Sequence, residues 1–221
     1  MTGASIGKTI ELFRNKSLDI LVGTQMLAKG HDFPDVTLVV LLNVDRALHF
    51  PDFRAGERTF QLLVQASGRA GRGGRPGRVL LQLDRSDHPV IQAAMKHDYL
   101  GFSAFELAQR RAILYPPFSR MMSFCFTSEN QGFLEQTMVQ VSEQLEKLLA
   151  MRPEFSKIRV LGPAVPGLEK IRDIYRQMMI LTTPVAEVKV LRQLGDRLVQ
   201  AFKKLPRGID CKVDVDPQNL M

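Results

Sequence analysis

One break does most to limit how this chain can fold. At Tyr115-Pro116-Pro117-Phe118 two consecutive prolines end a helical run, and the residue pattern differs on the two sides. Before the break, apolar runs alternate with helical stretches. Residues 6–16 read as a short helix with Ile6, Ile10 and Phe13 on its apolar side. Residues 19–24 (DILVGT) predict a short buried strand, and residues 25–28 allow a helical turn before Pro34, which forbids helix. Residues 36–44 are a Val/Leu run, as in a parallel strand covered on both faces. A helix over 54–70 and a strand over 78–83 follow. Strand, loop, strand, helix, strand is an α/β layer with its working loops at strand ends, and part of a sheet rather than a whole one. Residues 88–114 read as a helical linker in two pieces, with Tyr99, Phe102 and Phe105 on one side of the second.

Beyond the break the period changes. Residues 121–127 alternate Met122, Phe124 and Phe126, as a strand does. Residues 131–151 place Leu134, Met138, Val141, Leu145, Leu148 and Leu149 on one helical stripe. Strands are expected at 157–161, 174–182 and 209–215, with a helix over 185–205. That order is β-α-β-β-α-β, a split-βαβ sheet with both helices on one face. The expected organisation is 1–87, a linker over 88–114, and an α+β domain over 115–221.

The formal net charge of +7 favours a polyanionic partner, but the excess is spread. Residues 1–90 carry 12 Lys/Arg against 9 Asp/Glu, and residues 91–221 carry 18 against 14. Nucleic acid is admissible on charge and no more than that. Two cysteines, Cys125 and Cys211, are too few and too far apart for a zinc site and read as reduced core thiols. With no signal-peptide pattern and no run of membrane-spanning length, the expectation is a soluble, cytoplasmic chain without a membrane partner.

Two stretches carry chemistry. The first is GTQMLAKGHDF, residues 23–33. Thr24 and Gly30 can offer a hydroxyl and a backbone N–H to phosphates, Asp32 can accept from a ribose hydroxyl, and His31 can contact a nucleic-acid backbone. Each also has a plain reading, as a turn or a satisfied polar residue. The second is residues 65–72, QASGRAGR. Read as helix, Gln65, Gly68, Arg69 and Arg72 fall at i, i+3, i+4 and i+7 and share a face. The plain reading is a solvated basic helix end. The sharper one is a guanidinium pair meeting phosphate, where cations stabilise the charge developing on a transferred γ-phosphoryl group. Residues 3–9 (GASIGKT) resemble a P-loop but are one residue short between the glycines and have no preceding strand.

Together and in this order, the two stretches resemble motifs V and VI of superfamily 2 helicases. ILVGTQMLAKGHDFPDVTLV, PDFRAGERTFQLLVQASGRAGR, YPPF, VLGP, YRQMMIL and VDVDP narrow the resemblance to the C-terminal part of the primosomal protein N′ (PriA) family, the replication-restart DNA helicases. The resemblance covers essentially the whole chain. It implies an ATP-driven 3′-to-5′ DNA helicase, with a partial RecA-like lobe of mostly parallel sheet before the α+β domain. It implies Arg69 and Arg72 as arginine fingers, Gln65 as γ-phosphate sensor, Gly30, Asp32 and Gly68 at the nucleotide, and Thr24 with His31 on the DNA backbone. Forked or single-stranded DNA, the tail of single-strand-binding protein and primosome proteins are the implied partners. Lys170, Arg172 and Arg176 beside Tyr175 are the candidate DNA-facing patch, an ordinary charged hairpin edge being the alternative.

The family's Walker A loop, DExH-type acidic motif and zinc-binding cysteines are absent from these 221 residues. ATP and Mg²⁺ are therefore expected only with another lobe, zinc is not expected on this chain, and the chain alone is expected to be inactive. It reads as a fragment. The rival is a non-enzymatic binding module, in which 121–216 form an RRM-like platform with Phe124 and Phe126 as stacking residues. No RNP1-like run supports it.

Overall fold

The computed structural model describes residues 3–24, 33–68, 70, 76–167 and 170–220. The chain divides into two compact units, one of residues 1–49 and 56–102, the other of Phe50–Ala55 and Ser103–Met221.

In the first unit, α1 spans Gly3–Arg14. It includes the stretch that resembles a P-loop, and a helix there leaves no loop to cradle phosphate. Ile10 is buried, and Phe13 meets Phe33 edge-on with ring centroids 5.2 Å apart. Two parallel strands follow, β1 (Leu38–Leu41) and β2 (Arg78–Leu81), paired from Leu38↔Arg78 to Leu41↔Leu81. Parallel strands need a crossover, here α2 (Val44–Leu48) and α3 (Ala55–Ser67). Asn43, at φ 53°, turns the chain from strand into α2, a conformation Asn tolerates. The Val44 N–H donates to the Gln82 carbonyl, and the Asp84 N–H donates to the Asp45 carboxylate, joining α2 to the end of β2. α4 (Pro89–Met95) is capped by His88, whose Nδ1 accepts from the Val90 N–H, and Pro89 fits the first turn. α5 (Tyr99–Ile113) begins in this unit and ends in the other.

Two strand expectations fail here. Residues 19–24 form no strand; Ile20 and Val22 are 79% and 84% exposed. Apolar composition makes a strand only where a neighbouring edge accepts its backbone groups, and no described strand pairs with this segment. The 36–44 run is strand only over Leu38–Leu41, with Val44 already in α2. Its burial alternates, so the sheet is covered on one face, not two.

The second unit keeps the predicted order with one short strand added, β5: β3 (Ser119–Ser128), α6 (Gln131–Met151), β4 (Arg159–Ala164), β5 (Lys170–Ile171), β6 (Ile174–Pro184), α7 (Val188–Phe202) and β7 (Asp210–Val215). The sheet is antiparallel in the order β4-β6-β3-β7, with β5 paired to β6. α6 begins where Asn130 accepts from the Phe133 N–H, and it matches the predicted 131–151 helix residue for residue. Met122, Phe124 and Phe126 of β3 pack with Leu134, Met138 and Leu145 of α6 and Leu191, Leu194 and Leu198 of α7, so both helices cover one sheet face. The opposite face carries Met121, Met178 and Ile180, which are covered by Phe53, Tyr115 and Leu220. The molecule is α/β as a whole, one parallel sheet and one antiparallel.

Candidate functional site

Helix α3 sets the geometry of the Gln/Arg stretch. Ala55, Thr59, Phe60, Leu63 and Ala66 are its buried positions, and Phe60 stacks on Phe102 with centroids 4.1 Å apart and planes within 9°. Burying that stripe leaves Gln61, Gln65 and Gly68 exposed at i, i+4 and i+7. The structure therefore brings Gln65 and Gly68 onto one solvent-facing side, as the spacing requires. The Gly68 N–H still donates to the Val64 carbonyl at 3.1 Å, and Ser67 Oγ bonds back to the same carbonyl at 2.8 Å, so helical bonding persists to the end of the element. Gln61, which points the same way, escaped notice in the sequence; counting back one turn from Gln65 would have found it. Arg69 and Arg72 lie outside the described residues, as do Gly30, His31 and Asp32. Thr24 is exposed and sits in no helix or strand.

The second basic cluster separates into two parts. Lys170 and Tyr175 are cross-strand partners, with the ammonium 4.9 Å from the ring centroid. Lys170 also pairs with Asp173 at 2.8 Å. That hydrogen bond raises the Lys170 pKa and lowers that of Asp173. Arg172 and Asp173, at φ 51° and 66°, form the hairpin tip, where both residues must be left-handed. Arg176 follows Tyr175 and so points to the other face, where its guanidinium meets Cys125 Sγ at 3.7 Å. Lys170 lies on the Tyr175 side of the hairpin and Arg172 at its tip; Arg176 does not share the Lys170 face.

Phe124 and Phe126 are 0% exposed and meet Phe202 edge-on at 5.3 and 5.0 Å. They belong to the core, so no base can stack on them and the RRM-like reading loses its support. Cys125 pairs with Lys212 and Cys211 with Phe126, so the two thiols occupy opposite sheet faces and cannot share a metal. Both are half-buried; Cys211 packs on the core and its pKa is pushed up to about 12, chiefly by burial. Among the described residues no group of three or more His, Cys, Asp or Glu could hold a metal ion, and no helix is long and apolar enough to cross a membrane. In a groove of about 350 Å³ lined by Asp45, His49, Asp84, Arg85, Asp87 and His88, four of the polar side chains are already engaged: Asp45 accepts from the Asp84 N–H. Arg85 pairs with Asp87 at 2.9 Å, and His88 caps α4.

With this geometry in place, the relationships are informative. A family described as Helicase conserved C-terminal domain matches residues 1–74, and one described as Primosomal protein N C-terminal domain matches residues 111–218. The class is thus a helicase C-terminal lobe followed by a domain of mixed helices and strands. Relatives named Replication restart protein PriA are 37% identical over 96% of this chain in Synechocystis, 36% over 98% in Treponema pallidum and 36% over 97% in Bacillus subtilis. The chain spans 24%, 32% and 26% of those three relatives. The chain belongs to the PriA family and corresponds to its C-terminal part.

Proposed function

We propose that the chain is the C-terminal part of an ATP-dependent 3′-to-5′ DNA helicase of replication restart, supplying one side of its nucleotide site. Its first domain is then part of a RecA-like lobe over residues 1–87, residues 88–114 are the linker, and residues 115–221 form a split-βαβ domain. The observation that carries this reading is the exposed Gln65–Gly68 side of α3, leading directly into the Arg69-Ala70-Gly71-Arg72 run.

ATP supplies the phosphoanhydride bond whose cleavage drives the motor. The donor set fits its anionic end: two guanidiniums, an amide and a glycine that admits close approach. It does not fit Mg²⁺, because no carboxylate stands among Gln65, Gly68, Arg69 and Arg72. In this reading Arg69 and Arg72 neutralise charge developing on the γ-phosphoryl group, and Gln65 orients water or phosphate. Gly30 and Asp32 contact the nucleotide, and Thr24 and His31 hold the DNA backbone. Lys170 and Arg172 form a phosphate-facing hairpin. Arg176 is the weakest member of that set, being aimed at the other face. Single-strand-binding protein and primosome proteins are the protein partners this reading implies.

The test joins this chain to the amino-terminal part of the Bacillus subtilis relative and measures DNA-stimulated ATP turnover. Arg69→Ala or Arg72→Ala should lower kcat by about 10³-fold or more while nucleotide binding persists. Undiminished turnover in both variants removes them from the catalytic role.

A further inference from the structure

Helix α7 turns Leu191, Leu194 and Leu198 into the core, and Gly195 lets it come down close on β3, where a Cβ would collide with the Met122 side chain. That leucine stripe leaves the other side of the helix to solvent. Along it Lys189, Arg192, Asp196 and Lys203 fall at i, i+3, i+7 and i+14, with Arg197 and Lys204 beside them, and all six are exposed. Helical bonding carries past Phe202, since the Lys203 N–H donates to the Val199 carbonyl and the Lys204 N–H to the Ala201 carbonyl. Five cations thus share one face with a single carboxylate.

Elsewhere in this unit cations sit with carboxylates: Arg110 with Glu106, Arg120 with Asp216, Arg152 with Glu154, Lys157 with Glu187 and Lys170 with Asp173. Among the described residues no carboxylate pairs with Lys189, Arg192, Arg197, Lys203 or Lys204. Arg197 lies over the Phe155 ring at 5.5 Å, a contact that brings no counter-charge. Lys203 and Lys204 gain from the helix dipole at the carboxyl-terminal end. Lys189 and Arg192 are opposed by it at the other, where the first turn holds no acidic residue. The companion helix α6 exposes Glu135, Glu143 and Glu146 against Lys147, so the basic character belongs to α7 and not to the helical layer. A charge excess that is even along the sequence is therefore concentrated in space.

A face of this kind repels itself, and a polyanion from outside relieves the repulsion. The helix also selects the form of the polyanion. Lys189 and Lys203 stand about 21 Å apart along the axis at 1.5 Å per residue, on a rod held against the sheet. The face offers no aromatic ring, whereas single strands are gripped largely by stacking on such rings. A straight row of cations without rings suits the regular phosphates of a double helix.

We propose that the outer face of α7 is a docking surface for the phosphate backbone of duplex DNA, bound without readout of bases. It needs neither the nucleotide-facing stretch nor the β5–β6 hairpin. The choice of DNA among polyanions rests on the replication-restart reading given above; the unpaired cations do not.

Fluorescence anisotropy of the full chain on duplex DNA across a salt series tests this. Lys189→Gln with Arg192→Gln should make the slope of log K against log salt shallower by about 1.8, at about 0.9 per lost phosphate contact. Lys203→Gln with Lys204→Gln should do the same, and serves if the first pair disturbs folding. Lys147→Gln with Arg152→Gln removes equal charge at and beyond the end of α6 and should leave the slope unchanged. An unaltered slope in the α7 variants, an equal loss in the Lys147 and Arg152 variant, or no duplex binding by the wild-type chain at low salt would each overturn the proposal. So would tighter binding of single-stranded DNA with the same dependence on α7. If Arg69→Ala leaves turnover of the joined enzyme intact while the α7 slopes fall as stated, the nucleotide reading fails and the surface stands. If Arg69→Ala abolishes turnover and the α7 slopes do not move, the surface fails alone.

Discussion

Gly162 shows how much a single position can demand. It sits at φ +97°, and a Cβ there would stand 2.4 Å from the Met178 carbonyl, at the register shift between β4 and β6. Gly162→Ala should therefore destabilise the second domain by about 1–3 kcal/mol, read as a lower urea midpoint by circular dichroism. A midpoint unchanged from wild type would show that the bulge relaxes. Cys211 gives a pH signature. Burial raises its pKa above the unfolded value of 9.0 to about 12, so below pH 9 both states keep the proton and nothing is lost. Between pH 9 and 12 the unfolded chain gives up a proton that the folded chain retains, and stability falls as pH rises. Thermal unfolding at pH 8 and pH 10.5 should show that fall, and Cys211→Ala should reduce it. At this scale the sequence was legible where period alone decides: alternation in β3 sent Phe124 and Phe126 inward. It was silent on Asp52, a buried carboxylate that accepts from the Leu220 N–H, because a carboxylate before a helix looks the same whether its second oxygen meets water or that N–H.

Elements differ in how far their own residues determine them. α6 carries its cap and its stripe within its own length, so its bounds can be read directly. Residues 19–24 carry only composition, and a strand also needs a neighbour, which no period in the chain reveals. The β5–β6 hairpin lies between: its tip dihedrals follow from two residues, but the face each cation takes follows from register. Lys170→Glu with Arg172→Glu should lower the slope of log K against log salt for single-stranded DNA by about one per lost phosphate contact. Arg176→Glu should change the slope less. Equal effects at all three positions would contradict the assignment of faces.

For the whole molecule, the exposed apolar residues of the first unit have a physical consequence. Ile20, Val22, Leu38, Val40, Leu42 and Leu80 are all exposed, several around a two-stranded sheet. Such surface favours association, so sedimentation should show concentration-dependent self-association, and charged substitutions at Val40 and Leu80 should reduce it. The same incompleteness bears on chemistry. In the proposed function, residues 65–72 offer cations and an amide to a nucleotide, and a phosphate loop and metal-holding acid stand nowhere in these 221 residues. On that proposal they are one side of a site. DNA-stimulated ATP turnover, compared between the chain alone and the chain joined to the amino-terminal part of the Bacillus subtilis relative, tests that most directly. The account predicts no turnover by the chain alone and robust turnover by the joined protein; hydrolysis by the isolated chain at the rate of the joined enzyme would contradict it.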